Sequence, residues 1–224
     1  MNAAGRFISL EGIEGAGKST LGRALEASLT TLGLKVRLTR EPGGTPLAER
    51  LRALVLERGS ESISAEAETL MMFAARAIHL ENLVRPTLGT GVWVICDRFT
   101  DATRAYQGAG RGVDPELIER LADALHRDLW PQRTLLLDVP VDTGLARARL
   151  RAGAGLGAGD RFEDQDRRFF ERVRARYLAL AAAEPARVRV IEAAGTPDQV
   201  AASALEAIAD LLPVQAHGAV REST

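Results

Sequence analysis

Cysteine is nearly absent from this chain, since its 224 residues include only Cys96. A single thiol excludes an intrachain disulfide and any zinc site built from several cysteines, which suits a reducing compartment. Cys96 ends the apolar run 92–96. We therefore predict a buried core thiol there, because a reactive cysteine needs a more exposed and electropositive setting.

Long apolar runs and an excess of one charge are also missing. No segment approaches the ~20 apolar residues that a membrane span needs, and the N-terminal residues lack the pattern of a signal peptide. The formal net charge is −1, so the chain has no general attraction to nucleic acid or acidic lipid. We expect a soluble, cytoplasmic protein without a nucleic-acid or membrane partner, in which local clusters of arginine form any anion site.

Five short runs rich in β-forming residues alternate with helical patterns. The runs are 7–10, 36–39, 92–96, 134–139 and 188–191. This alternation predicts an α/β fold, a parallel five-stranded sheet with helices on both faces. We assign residues 1–212 to a single domain and expect 213–224 to be a disordered tail.

Apolar periodicity and capping residues predict the helices. The predicted spans are 19–31, 45–58, 64–87, 114–127, 141–150, 163–183 and 199–212. Within the third, Phe73 and Arg76 are three residues apart and share a face. Taken alone, this pair is most simply a core phenylalanine and a solvated arginine.

A phosphate-binding loop pattern follows the first strand and makes the predicted fold that of the P-loop NTPases. Residues 12–19, G-I-E-G-A-G-K-S, fit G-x-x-x-x-G-K-[ST]. Glycines let backbone N–H groups surround phosphate oxygens, and the next helix adds the positive end of its dipole. Lys18 is then placed for the β- and γ-phosphates and the Ser19 hydroxyl for Mg²⁺. The predicted nucleotide-binding residues are Gly12, Ile13, Glu14, Gly15, Ala16, Gly17, Lys18, Ser19 and Thr20.

Polar clusters also follow the second and third strands, as R-E-P-G-G at 40–44 and D-R-F at 97–99. Ligands bind at the carboxyl ends of parallel strands, so these clusters are expected at the edge that carries the phosphate-binding loop. Asp97 is the predicted partner of Mg²⁺, because a carboxylate at that strand end faces the Ser19 hydroxyl. The alternative is a simple ion pair between Asp97 and Arg98.

Residues 151–161 read R-A-G-A-G-L-G-A-G-D-R and contain too much glycine to form a packed core element. Arginines flank its glycine-rich part, at positions 147, 149 and 151 on one side and at 161 on the other. A linker between domains is one interpretation. We prefer a mobile lid at about 147–163, because a lid that closes over polyphosphate uses arginines on both sides and a linker does not.

The loop alone does not separate motors, GTPases, transporter ATPases and small-molecule kinases. The chain lacks the N-K-x-D stretch that reads guanine, and it is short for a motor or a transporter ATPase. A nucleotide-dependent kinase for a small phosphate acceptor remains, with a non-catalytic nucleotide-binding module as the alternative. Such a kinase holds two anions together and needs several cations besides Lys18, such as Arg40 and Arg98.

Several further segments resemble the bacterial thymidylate kinases. They are E-G-I-E-G-A-G-K-S-T at 11–20, T-R-E-P-G-G-T at 39–45, F-A-A-R at 73–76, D-R-F at 97–99, A-Y-Q-G at 105–108, G-R-G at 110–112, L-D-V at 137–139, R-F-E at 161–163 and R-A-R-Y-L at 174–178. They occur in the order of that family. The resemblance implies transfer of the γ-phosphate of ATP to dTMP with Mg²⁺, within a homodimer formed through helices such as 64–87. A kinase for UMP or CMP is the alternative substrate assignment.

The resemblance assigns one set of residues to the binding of the nucleoside of dTMP. Phe73 would stack on thymine and Arg76 would donate to its O4 atom, roles that suit a flat apolar ring and a planar guanidinium. Thr103 would face N3 of the base. Tyr106 would crowd the 2′ position and favour deoxyribose, with Gln107 beside it as a further substrate-binding residue.

The resemblance assigns charged residues to the phosphates of dTMP and ATP. Arg98 and Arg52 would clamp the phosphate of dTMP, and Glu14 would lie beside its sugar and phosphate. The acidic residues Asp160 and Glu163 match positions near the acceptor site. One of Arg147, Arg149, Arg151 and Arg161 would reach the transferring group, with Arg161 in the lid as the assigned catalytic residue. Arg147 and Arg151 are assigned to ATP, and Arg40 and Lys18 to the phosphates.

Overall fold

A five-stranded parallel sheet forms the centre of the computed structural model, which describes residues 5–57, 61–153 and 166–213. The strands are β1 (Phe7–Glu11), β2 (Val36–Arg40), β3 (Trp93–Asp97), β4 (Arg133–Asp138) and β5 (Val188–Glu192). Their order in the sheet is β2-β3-β1-β4-β5, and all four pairings are parallel. The predicted fold class is confirmed, and each strand lies within one or two residues of its predicted run.

Helices connect the strands and cover both faces of the sheet. They are α1 (Lys18–Thr31), α2 (Pro46–Leu56), α3 (Ala65–His79), α4 (Arg85–Gly89), α5 (Thr100–Thr103), α6 (Pro115–His126), α7 (Val141–Gly153), α8 (Arg167–Ala183) and α9 (Pro197–Ala207). Every residue of β1 is buried. Ile8 and Leu10 belong to one apolar cluster and Phe7 to another, as alternation along a strand requires when both of its faces are covered.

Cys96 lies in the second cluster and is buried, as predicted. Burial raises the pKa of its thiol well above the ordinary value, and the neighbouring carboxylate of Glu41 adds to the effect. An inert core thiol is the result.

The long helix predicted over 64–87 is correct in extent but wrong in continuity. A π-helical turn, Leu80–Val84, separates α3 from α4. Pro86 lies just beyond this turn and has no N–H to donate, so the regular hydrogen-bond ladder lacks a donor there. The helix still continues to Gly89.

Two other stretches differ from the prediction. Residues Thr100–Thr103 are α-helical and Arg104–Gly110 are π-helical, although the glycines in this stretch gave no helical pattern. The helix predicted from residue 163 begins at Arg167, because the side chain of Asp166 caps it by accepting a hydrogen bond from the Phe169 N–H at 2.7 Å.

Part of the predicted lid, including Asp160, Arg161 and Glu163, lies outside the described residues, as do tail residues 214–224. Within the described ranges, no helix has both the length and the apolar character that a membrane crossing requires.

Candidate active site

The loop between β1 and α1 has the backbone geometry of a phosphate cradle. Gly12, Gly15 and Gly17 all have positive φ, at 138°, 71° and 100°. A Cβ added at Gly12 would lie 2.5 Å from the Leu137 carbonyl oxygen, so the close approach to β4 also requires glycine. The loop leads directly into the N-terminus of α1, where backbone N–H groups favour anions.

Lys18 and Ser19 occupy the end of this loop. The Lys18 ammonium is buried and donates to the carbonyls of Gly12 and Ile13 at 2.9 and 3.0 Å. Burial and the neighbouring Arg98 guanidinium lower the pKa of Lys18 to about 8. The Ser19 hydroxyl donates to Asp97 at 3.1 Å. The hydroxyl and carboxylate predicted for Mg²⁺ are therefore adjacent, and both are hard oxygen ligands of the kind that this ion prefers.

Arg98 follows β3 and turns its side chain toward the phosphate-binding loop. It is the one non-glycine residue with positive φ in the described part of the chain, at 74°. Its guanidinium donates to Glu14 at 2.8 Å and to the Tyr106 hydroxyl at 3.0 Å, and it lies 4.5 Å from the centre of the Tyr106 ring. Its ion pair is with Glu14. The alternative of a simple pair with Asp97 is therefore wrong, since Asp97 instead receives the Ser19 hydroxyl.

Glu14 joins the loop to the π-helical segment. One carboxylate oxygen accepts from Arg98, and the other accepts from the Tyr106 hydroxyl at 2.6 Å. Three residues that the sequence assigns to dTMP, from three different segments, thus form one cluster. A carboxylate built into the phosphate-binding loop holds an arginine ready for an anionic ligand.

A fully buried carboxylate, that of Glu11, is linked to this cluster through Tyr177. Glu11, the last residue of β1, accepts from the Phe99 N–H and from the Tyr177 hydroxyl, each at 2.7 Å. Arg98 in turn donates to the Tyr177 hydroxyl at 3.4 Å. Burial, with the nearby charge of Asp101, raises the pKa of Glu11 to about 8. Glu11 therefore fixes the backbone at Phe99, directly after Arg98. Through Tyr177 it also helps to hold the Arg98 side chain.

Arg76 is buried, with 3% of its surface exposed, so the interpretation as a solvated charge is wrong. Its Nε donates to Glu41 at 2.7 Å and its Nη2 to the Thr103 hydroxyl at 3.1 Å. Its guanidinium carbon lies 4.7 Å from the centre of the Phe73 ring. Phe73 is 1% exposed and packs with Val113, so a ring face must be uncovered before it can stack on a base.

Three other predicted site residues have hydrogen-bond partners in the described structure. Gln107 donates to buried Glu68 at 2.8 Å. Arg52 donates to the Pro42 carbonyl at 3.0 Å, which places it on the loop after β2. Arg40 stands apart from the cluster, because its side chain is 53% exposed and pairs with Glu49.

The two described arginines assigned to ATP lie on α7. Arg147 donates to the carbonyls of Ala193 and Ala194, at 2.9 and 3.4 Å, and so lies against the segment that follows β5. Arg151 is exposed near the end of the described part of α7. The contacts of the catalytic candidate Arg161 lie outside the described residues.

Comparison with known proteins identifies the family of this site. A family model described as thymidylate kinase matches residues 10–204. The chain belongs to the thymidylate kinase family. The sequence-based prediction of an ATP-dependent kinase that phosphorylates dTMP is confirmed by this membership.

Relatives in this family resemble the chain over most of its length. The thymidylate kinase of Pseudomonas syringae pv. tomato is 52% identical over 211 residues, which cover 94% of this chain and 98% of that protein. The thymidylate kinase of Methylococcus capsulatus is 53% identical over 189 residues, or 84% and 88% of the two chains. The crystal structure of thymidylate kinase from Ehrlichia chaffeensis is similar at a TM-score of 0.75 and 31% identity, covering 92% of this chain and 99% of that one.

Sequence reasoning gave no role to four buried side chains that hold the site together. They are Glu11, Glu41, His79 and Tyr177. Glu11 ends β1 and Glu41 directly follows β2, and this position at the carboxyl end of a parallel strand could have identified both as candidate site residues. The contacts of His79 and Tyr177 bridge at least 38 residues of sequence, so no local pattern could have found them.

Proposed function

We propose that this chain transfers the γ-phosphoryl group of ATP to dTMP at the phosphate-binding loop, with Mg²⁺. The observation that carries the proposal is the position of Glu14. This residue lies inside the loop that would bind the donor, yet it holds Arg98 and Tyr106, which are assigned to the acceptor. Donor and acceptor groups thus meet on one loop, as in-line transfer requires.

The loop and its neighbours supply the groups for the donor. Residues 12–20 would surround the phosphates, with Arg147 and Arg151 toward the nucleotide and Lys18 moving from the loop carbonyls to the phosphate oxygens. Ser19 and Asp97 would hold Mg²⁺, which would supply neutralisation of phosphate charge.

The acceptor side uses Arg98 and Arg52 for the phosphate of dTMP and Arg76, Thr103 and Phe73 for its base. A phosphate monoester is already largely deprotonated near neutrality, so the attacking oxygen needs no general base. Positioning and charge neutralisation by arginines then contribute most of the rate. Arg161 is our candidate for the arginine that reaches the transferring group when the lid closes and excludes water.

A homodimer in the cytoplasm completes the proposal. Large apolar side chains stay exposed on α2 and α3, at 49% for Leu47, 53% for Leu54 and 52% for Leu70. Exposed leucines on two helices that pack together favour burial against a second copy. Sedimentation of the wild-type protein should give the mass of a dimer, and Leu70→Glu should shift it toward the monomer.

A coupled assay with ATP tests the activity on dTMP, dUMP, UMP and CMP. We expect dTMP to give the highest kcat/KM, and Lys18→Ala to abolish transfer to every acceptor. A preference for UMP would overturn the roles of Thr103 and Tyr106. A wild-type protein that binds ATP but phosphorylates none of the four would support a non-catalytic module.

A further inference from the structure

Four polar side chains form a hydrogen-bonded chain that ends at Arg76. The Arg76 Nε donates to one oxygen of Glu41 at 2.7 Å, and the other oxygen is 3.0 Å from Nδ1 of His79. Nε2 of His79 is 2.7 Å from the hydroxyl of Thr39. Glu41, Arg76 and His79 are all buried, so solvent screens these contacts little.

The charge on Glu41 fixes the direction of each hydrogen bond. Burial opposes ionisation, but the Arg76 guanidinium and the His79 ring hold the pKa of Glu41 below its ordinary value. An ionised carboxylate only accepts, so His79 must donate from Nδ1. In a neutral imidazole Nε2 is then an acceptor for the Thr39 hydroxyl. One arrangement therefore satisfies Thr39, His79 and Glu41 together.

The guanidinium of Arg76 is held on two of its three nitrogens. Nε is bound to Glu41 and Nη2 to Thr103, which fixes the rotation of the planar group. The rings of Phe73 and Phe99 lie 4.7 and 5.2 Å from its central carbon. The buried Nη1 has no hydrogen-bond partner among the described residues. A buried donor without a partner is costly, and it points to a ligand acceptor at that position.

A cation site is the other chemistry that these side chains could provide. Ligand-type atoms of Glu41, His79 and Cys96 all lie within 4.8 Å of one another. However, the Arg76 guanidinium already neutralises the Glu41 carboxylate, and the Nδ1–H of His79 occupies its second oxygen, so a metal would have to displace both. The contacts favour orientation of Arg76 over coordination of a cation.

We infer that Glu41, held by His79 and Thr39, is a positioning residue that aims Nη1 of Arg76 at a carbonyl oxygen of the pyrimidine base. A guanidinium N–H pairs with the 4-carbonyl of thymine and opposes the 4-amino group of cytosine, so the alignment selects dTMP over dCMP. The inference rests on the proposed function, because it refines how the acceptor base is recognised.

Steady-state kinetics of Glu41→Gln with dTMP, dCMP and ATP test the inference. We expect the KM for dTMP to rise about 10-fold or more and the preference for dTMP over dCMP to fall by a similar factor, the scale of one hydrogen bond to a charged group. The KM for ATP should stay within about 2-fold, since the Glu41 carboxylate bonds to Arg76 and His79, which lie outside the phosphate-binding loop.

Asp101→Asn is the matched control. Asp101 is another buried carboxylate, bound to Arg187 at 2.7 Å and outside the proposed base site. Its loss should lower the melting temperature without changing the preference for dTMP over dCMP. An equal loss of preference in this control would show that general destabilisation causes the effect, and would overturn the inference.

Thr39→Val tests the positioning role of Glu41 if Glu41→Gln does not fold. It removes only the hydroxyl that holds His79, at a half-buried position in a strand where valine is favourable. We expect the dTMP preference to fall about 2- to 5-fold, the scale of one neutral hydrogen bond. If wild type uses dTMP but folded Glu41→Gln and Thr39→Val keep its base preference, the inference is wrong. If wild type does not phosphorylate dTMP, the proposed function is wrong.

Discussion

Replacing Glu14 by alanine should separate acceptor use from donor binding. Its carboxylate accepts from Arg98 at 2.8 Å and from the Tyr106 hydroxyl at 2.6 Å. The Arg98 and Glu14 side chains are only 19% and 14% exposed, so solvent screens this pair less than a surface ion pair. Without Glu14, Arg98 loses its anionic anchor and its alignment toward the phosphate of dTMP.

The size of the expected fall in kcat/KM for dTMP follows from the contacts that Glu14→Ala removes and those that remain. Arg98 keeps its weaker contacts to the Tyr106 hydroxyl and the Gly12 carbonyl and loses one charge-assisted hydrogen bond, while the Tyr106 hydroxyl loses its carboxylate acceptor. Such a bond contributes about 1.5–3 kcal/mol, which corresponds to a fall of roughly 10- to 150-fold in kcat/KM for dTMP. The loop glycines that would contact ATP are unchanged, so the KM for ATP should move by less than about 2-fold.

The assay measures kcat and KM for each substrate with the other at saturation. Glu206→Gln is the control, because it removes an exposed carboxylate on α9 and should leave kcat and both KM values near wild type. Glu14→Gln tests the charge alone and should give an intermediate loss. An increase confined to the KM for ATP would refute the reasoning, since Glu14 would then serve the donor.

Three further predictions concern the same loop and the strand that precedes it. Lys18, whose pKa burial and Arg98 lower to about 8, should take up protons when ATP binds at pH 8.5; calorimetry in buffers of different ionisation enthalpy should show this uptake in wild type and not in Lys18→Met. Glu11 has a folded-state pKa of about 8, raised by burial from the ordinary 4.5. Its stabilising contribution is therefore complete below pH 4.5 and is lost as the pH rises through 8, so denaturant titrations should show the stability of wild type falling relative to Glu11→Gln across that window. Gly15→Ala should lower the melting temperature and abolish detectable ATP binding, because φ is 71° there and a Cβ would collide with the Gly144 carbonyl oxygen; a variant with normal ATP affinity would contradict this account of the loop.

The sheet and the phosphate-binding loop were predictable because their signals are local. Apolar runs of four to six residues marked all five strands, and fixed spacing of glycines, Lys18 and Ser19 marked the loop. The rule that ligands bind at the carboxyl ends of parallel strands correctly brought Asp97 to the Ser19 hydroxyl. The helical stretch Thr100–Gly110 was missed, because its packing against α8 and other elements decides its conformation and its own residues give no periodic signal.

The sequence by itself determined the family, the fold class and the kinds of groups at the site, since spacing patterns can be recognised without knowing which residues are in contact. Only the tertiary structure decided how those groups are held. The spacing of Arg76 indicated a solvated charge and the family resemblance indicated a donor to the base, and the packing buried it against Glu41 and Thr103. His79 lies 38 residues from Glu41 and is joined to it by one hydrogen bond. Such a contact depends on how β2 and α3 pack, and neither segment encodes it alone.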